Sequence, residues 1–186
     1  GLLFLKQSAR TRISFSIGMQ KLGGNVIELD KNQIGLGERE SSSDLLKVMA
    51  QYFECLMIRN DNHKQLVEFS RLNVLPIING LSNHSHPCQI LSDIFTIEEN
   101  LGNIENQQVT WLGDYNNVLT SLIQSAEILK FKLNILVPKK ILNSCKKKSN
   151  SKKLKYSKFF DNIDLGVKNA NCVMTDAWIS MGESKN

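Results

Sequence analysis

Short apolar runs alternate with longer amphipathic stretches along most of the chain, and this alternation narrows the accessible folds more than any other feature. Leu2–Leu5, Asn25–Leu29, Cys55–Ile58, Val74–Ile78, Gln108–Leu112, Leu133–Val137 and Cys172–Thr175 read as strands. Most are continuous apolar stretches, as expected of strands covered on both faces. Between them, Ser8–Leu22, Ser43–Phe53, Asp61–Leu72, Gln89–Leu101, Asn117–Leu129 and Asn162–Ala170 carry helical patterns. The first of these runs into Gly23-Gly24, a helix stop signal. Strand–helix alternation predicts an α/β fold of doubly wound parallel sheets with right-handed crossovers. A polar stretch follows Gly102, so the pattern divides into two lobes, 1–102 and 103–186. Each holds only three or four strands, and neither looks complete.

Composition excludes several alternatives. No apolar run approaches the roughly 20 residues of a membrane-spanning helix. The opening Gly1-Leu2-Leu3-Phe4-Leu5 is too short for a signal peptide and reads as a buried strand. Cys55, Cys88, Cys145 and Cys172 are scattered without metal-ligand spacing, so free thiols in a reducing cytoplasm are expected. The net charge of +5 is concentrated: residues 131–160 hold ten lysines and no acid, which leaves the remainder at −5. Lys146–Lys158 reads as a mobile, solvated surface loop, and aromatic residues are absent from most of it, against a nucleic-acid role.

Five clusters follow strands and open helices, where parallel sheets bind ligands. Ser8-Ala9-Arg10-Thr11-Arg12 places two hydroxyls and two guanidiniums at a helix start, where unpaired N–H groups already favour an anion. Arg59 ends a strand and points to the same sheet edge. His84-Ser85-His86-Pro87-Cys88-Gln89 sets His86 and Gln89 three apart at a helix entrance, and no further Cys/His set supports a zinc site. Gly113-Asp114-Tyr115-Asn116-Asn117 lacks the GxGxxG of a dinucleotide fold and suits a carboxylate or amine. Asp176, with Ser180-Met181-Gly182 beyond it, is a candidate partner for an ammonium group. From the residues alone, the layout implies one phosphate-bearing substrate and one amino-acid acceptor.

In order and spacing these motifs resemble the aspartate/ornithine carbamoyltransferase family. Ser-x-Arg-Thr-Arg with Ser14-Phe15, and His86-Pro87-Cys88-Gln89 with Leu91-Ser92-Asp93, are similar to its carbamoyl-phosphate motifs. Gly113-Asp114 with Asn116-Asn117, and Asp176 with Ser180-Met181-Gly182, resemble its ornithine-specific branch. The resemblance implies that Ser8, Arg10 and Thr11 hold the phosphate of carbamoyl phosphate. Arg59 and His86, with Thr11, would polarise its carbonyl, and Gln89 would bind its amino group. Asn117, Asp176, Ser180 and Met181 would hold the head group of ornithine. It further implies a cytoplasmic homotrimer using neither metal nor cofactor. Aspartate, putrescine or an acylated ornithine as acceptor, and a non-catalytic ligand-binding module, remain open alternatives.

The sequence departs from the family pattern in places. Ala9 stands where threonine is usual, and Gly35 where glutamine is common, just before Leu36–Ser41, which resembles a loop that reaches a neighbouring subunit. Lys139–Phe160 is shorter and more basic than the family's corresponding region. The family's N-terminal helical region and its later His-Cys-Leu-Pro segment are not among these 186 residues. The isolated chain is therefore expected to have low turnover.

Overall fold

Continuous apolar strands need cover on both faces, and the helices supply it. The computed structural model describes residues 1–35, 41–151 and 154–176, and the chain separates into two compact units, Gly1–Cys88 and Gln89–Asn186. In the first unit, β1 (Leu2–Phe4), β2 (Glu28–Asp30), β3 (Leu56–Arg59) and β4 (Ile77–Leu81) form a parallel sheet of order β2-β1-β3-β4. Side chains of period two divide between its faces. Leu3, Leu56 and Ile58 pack on one side against Leu45, Leu46 and Met49 of α3 (Ser42–Met49) and Leu66 and Phe69 of α4 (His63–Arg71). Leu2, Phe4 and Met57 face the other side, with Phe15 of α1 (Ala9–Lys21) and Val26 against them. A fully buried side chain of this kind contributes about 1.5–3 kcal/mol.

The second unit repeats the plan. Strands β5 (Gln108–Leu112), β6 (Lys132–Leu136), β7 (Ser157–Phe160) and β8 (Cys172–Thr175) are parallel in the order β7-β6-β5-β8. Val109, Trp111, Leu133 and Ile135 form one core with Ile90, Ile94 and Ile97 of α5 (Pro87–Leu101) and Leu119, Leu122 and Ala126 of α6 (Asn117–Leu129). A short helix, α8 (Ile163–Val167), meets the sheet at Gly166, where an added Cβ would strike the side chain of Leu136. The Gly166 carbonyl accepts from Thr110 Oγ1 at 2.9 Å and Asn134 Nδ2 at 2.7 Å.

Two parallel, helix-flanked sheets are as the alternation predicts, with differences in detail. The strand expected at Val74–Ile78 lies three residues later, because Pro76 has no N–H for the ladder and only its carbonyl is used, by Leu56 N at 2.9 Å. A short helix, α2 (Lys31–Ile34), precedes Gly35, whose φ of +56° lies in the left-handed region that glycine adopts without strain. The Lys-rich stretch is not a loop: it begins as helix α7 (Lys139–Ser151), with Leu142 and Cys145 buried, and continues into β7. Glu127 of α6 anchors the entry to β7, accepting from the backbone N–H groups of Lys155 (2.8 Å), Tyr156 (3.0 Å) and Ser157 (3.1 Å). By contacts the chain divides at Gln89, and α5 packs with the core of the second unit.

Candidate functional site

In each sheet the chain leaves the central strand in opposite directions, between β1 and β3 in the first unit and between β5 and β8 in the second. Such switch points open a crevice at the carboxyl ends of the strands. Ser8, Arg10, Thr11 and Arg59 fall at the first of these and Asn117 and Asp176 at the second, while His86 and Gln89 follow β4.

In the first unit, Ser8 caps α1 directly after β1, its Oγ accepting from Thr11 N at 3.4 Å. The Ser8 and Thr11 hydroxyls share a hydrogen bond of 2.9 Å, and Arg59 at the end of β3 donates from Nη1 to Thr11 Oγ1 at 3.0 Å. Strands β1 and β3 are tied at this edge by Leu5 N to Arg59 O at 3.0 Å. Two hydroxyls joined by one bond use only one of their two O–H protons. The other has no acceptor among the described residues. Arg59 is 5% exposed, and its Nε–H likewise has no partner among the described residues. Burial lowers the pKa of this guanidinium, Asp61 opposes the shift and neighbouring Arg10 adds to it. The nearby acid is engaged, since both Asp61 oxygens contact Lys6 Nζ, at 2.9 and 2.7 Å. A buried cation, a second cation beside it and spare donors at a helix N-terminus make a receptor for a small anion.

One residue counted toward this receptor is turned elsewhere. Arg12 pairs with Glu28 at 3.3 Å and lies over the Phe4 ring, 4.9 Å from its centroid. Arg10 and Arg59 are therefore the guanidiniums that remain for an anion. Ala9 is the first residue of α1, so its backbone N–H still faces the helix start. Residues 36–40 of the Leu36–Ser41 motif lie outside the described residues, while Ser41 caps α3.

His86 is delivered to the carboxyl edge by the turn between β4 and α5. That turn is held by Ser82 N to Ser85 O (2.9 Å), Ser85 N to Ser82 Oγ (3.2 Å) and Asn79 Nδ2 to Ser85 Oγ (2.9 Å). The Cys88 thiol donates to Asn79 O at 3.3 Å, and burial pushes its pKa up, which suits a structural thiol. At Arg59 the β3–β4 register shifts so that Arg59 pairs with Leu81, skipping Gly80, which packs against Met57. Irregularities of this kind re-aim strand-end side chains.

In the second unit, Gln89 lies in the first turn of α5 and donates from Nε2 to Asp93 Oδ1 at 2.9 Å. A carboxylate accepts only, so the amide N–H is directed to Asp93 and its carbonyl oxygen is the group left to meet a ligand N–H. Burial raises the pKa of Asp93, Gln89 opposes this and Asp176 adds to it. Asn117 opens α6 after β5, and Asp176 follows β8. Asn116, which the sequence reading leaves out of the binding set, caps α6 and donates to Asp176 Oδ2 at 2.6 Å. The signal for it is an asparagine at a helix start, a position equally common in helices without a site. Ser180 and Met181 lie outside the described residues. Among the described residues no group of three or more metal-ligating side chains converges, and no helix is long and apolar enough to cross a membrane.

Residues 1–99 match the family described as aspartate/ornithine carbamoyltransferase, carbamoyl-P binding domain, and residues 105–186 match its Asp/Orn binding domain. The chain is 38% identical to an ornithine carbamoyltransferase of Mesorhizobium japonicum, over 98% of this chain and 60% of the relative. It is 39% identical to one of Bradyrhizobium diazoefficiens, over 99% of this chain and 60% of that relative. Among solved structures, the enzyme of Burkholderia thailandensis superposes with a TM-score of 0.83 at 36% identity, covering 95% of this chain and 61% of its own. That of Pyrococcus furiosus gives 0.81 at 32%, covering 97% and 59%. The chain thus spans about 60% of the length of these relatives. Two matched domains over nearly all its residues place this chain in the aspartate/ornithine carbamoyltransferase family.

Proposed function

We propose that this chain carries the substrate-binding machinery for carbamoyl transfer from carbamoyl phosphate to the δ-amine of L-ornithine, giving L-citrulline and phosphate. The observation that carries the reading is the buried Arg59 guanidinium, hydrogen-bonded to Thr11 beside Ser8 and with a spare Nε–H among the described residues. Such a group is costly to bury without an anion and is stabilised by one.

Ser8, Arg10 and Thr11 hold the phosphate, using hydroxyls, a guanidinium and the positive end of α1. Arg59 and His86, with Thr11, face the carbonyl oxygen, and the Gln89 carbonyl accepts from the carbamoyl amino group. Asn117 and Asp176, with Ser180 and Met181, take the α-carboxylate and α-ammonium of ornithine. The neutral δ-amine attacks the carbonyl carbon. A C–N bond forms, the bond from the carbonyl carbon to the bridging phosphate oxygen breaks, and the departing phosphate takes up the proton that the amine loses. Catalysis consists of positioning two substrates and stabilising the oxyanion that develops on the carbonyl. We place the reaction in cytoplasmic arginine metabolism, run by a homotrimer.

An acceptor panel tests this reading. Carbamoyl phosphate would be supplied with ornithine, aspartate, putrescine or N-acetylornithine, and the carbamoylated product measured by mass spectrometry. Citrulline as the dominant product, at whatever turnover, supports it. Preference for another acceptor would sink the assignment of ornithine.

A further inference from the structure

We infer that Asn116 is a positioning residue that fixes the Asp176 carboxylate for the α-ammonium of the amino-acid acceptor. The inference rests on the acceptor reading above and extends it to a residue outside the proposed binding set.

The orientation of the Asn116 amide follows from chemistry. Its Oδ1 accepts from the backbone N–H groups of both Val118 and Leu119, each at 3.0 Å. A backbone N–H can only donate, so the oxygen of the amide must face α6 and its NH2 must face outward. There the NH2 reaches Asp176 Oδ2 at 2.6 Å. The backbone of Asn116 is itself held, because its carbonyl accepts from Thr120 N and Thr120 Oγ1, both at 3.0 Å. Two bonds thus fix the amide oxygen and two more the backbone that carries it, before the amide meets the carboxylate.

The connection spans the switch point of the sheet. Asn116 follows β5 and Asp176 follows β8, strands paired through Leu112 and Thr175. The two residues are 60 apart in sequence, so nothing local sets their approach. The bond engages Oδ2 at one of about four lone-pair sites on the carboxylate. The N-terminal amides of α6 polarise the Asn116 amide, which strengthens its N–H as a donor to the anion. Asp93 of α5 lies within the field of Asp176.

The test uses the full chain and calorimetric affinities in saturating phosphonoacetamide, a stable mimic of carbamoyl phosphate. The ligands are L-ornithine and 5-aminopentanoate, which has the same skeleton without the α-ammonium. Asn116→Ser keeps a capping oxygen and removes the NH2; Asn116→Thr does the same if the serine variant folds poorly. Both variants should weaken ornithine by about 10-fold or more, as for a hydrogen bond to a charged group, with 5-aminopentanoate unchanged. In an Asp176→Asn background the same change should have no further effect on ornithine. An unchanged ornithine affinity, a parallel loss for both ligands, or additive losses in the double variant would each overturn the positioning role. Failure of the parent chain to prefer ornithine over 5-aminopentanoate is distinguishable from these, because it removes the acceptor reading itself.

Discussion

Replacing Glu127 probes the largest difference between the sequence pattern and the fold. This carboxylate accepts from three consecutive backbone N–H groups, Lys155, Tyr156 and Ser157, and from Ser157 Oγ at 3.0 Å. It therefore holds the entry to an edge strand that has little local propensity of its own. Bonds to an ionised acceptor contribute about 1.5–3 kcal/mol each when protected. Here water reaches part of the group and the four bonds act together, so Glu127→Ala should cost about 2–3 kcal/mol in total. Glu127→Gln keeps one oxygen and should cost about 1 kcal/mol. Urea unfolding followed by tryptophan fluorescence reads this directly, because Trp111 is buried in the core of the second unit. With a slope of about 1–3 kcal/mol per molar urea, the alanine variant should shift the midpoint by roughly 1–2 M. The pH dependence has a defined sign. Burial pushes the Glu127 pKa up, but the four hydrogen bonds outweigh it and the net shift is downward. The stabilisation is then complete above the unfolded-state pKa and disappears as pH falls through the lower folded-state value. Variant and parent should converge in acid. Coincident melts at neutral pH would refute the anchoring argument.

Three further outcomes follow from the first unit, α5 and the chemistry. Arg59→Leu should reduce carbamoyl-phosphate turnover by about 10²–10³-fold while leaving the melting temperature equal or higher, since a buried cation is removed; a large fall in melting temperature would contradict this. Asp93→Ala frees the Gln89 amide, so the preference for phosphonoacetamide over acetonylphosphonate, which lacks the amino group, should shrink by several-fold in competition calorimetry. Turnover at saturating ornithine should rise as pH increases from 7 toward 9, because the attacking amine must be neutral; a flat or falling profile would remove amine deprotonation as a limiting requirement.

Much of the architecture is legible in the sequence because parallel strands buried on both faces leave continuous apolar runs. Gln108–Leu112, Cys172–Thr175 and Asn117–Leu129 coincide with elements of the structure. The Lys-rich region defeats that logic. Strand β7 is an edge, where an exposed lysine such as Lys158 is favourable rather than disruptive. In α7, among the described side chains, Leu142 and Cys145 are the buried ones, so composition outweighs periodicity. The position of β4 escapes because Pro76 donates nothing to the ladder and Asn79 and Gly80 lie inside the strand. For the candidate sites, the motifs identify which residue types gather at strand ends, but not how each is engaged. Arg10 and Arg12 are alike in sequence, yet Arg12 is committed to Glu28 and Phe4. Asn116 and Asn117 are adjacent, yet Asn116 turns its amide to Asp176 across 60 residues of chain. Such pairings depend on strand order, which local pattern does not encode.

The central claim is that one chain carries both a phosphate receptor and an amino-acid receptor, and a bisubstrate mimic joining a phosphonate to ornithine tests it most directly. Isothermal titration of the folded chain should give binding far tighter than ornithine or phosphonoacetamide alone, and Arg59→Leu and Asp176→Asn should each weaken it. No binding to a chain shown to be folded, or binding indifferent to both substitutions, would contradict the account.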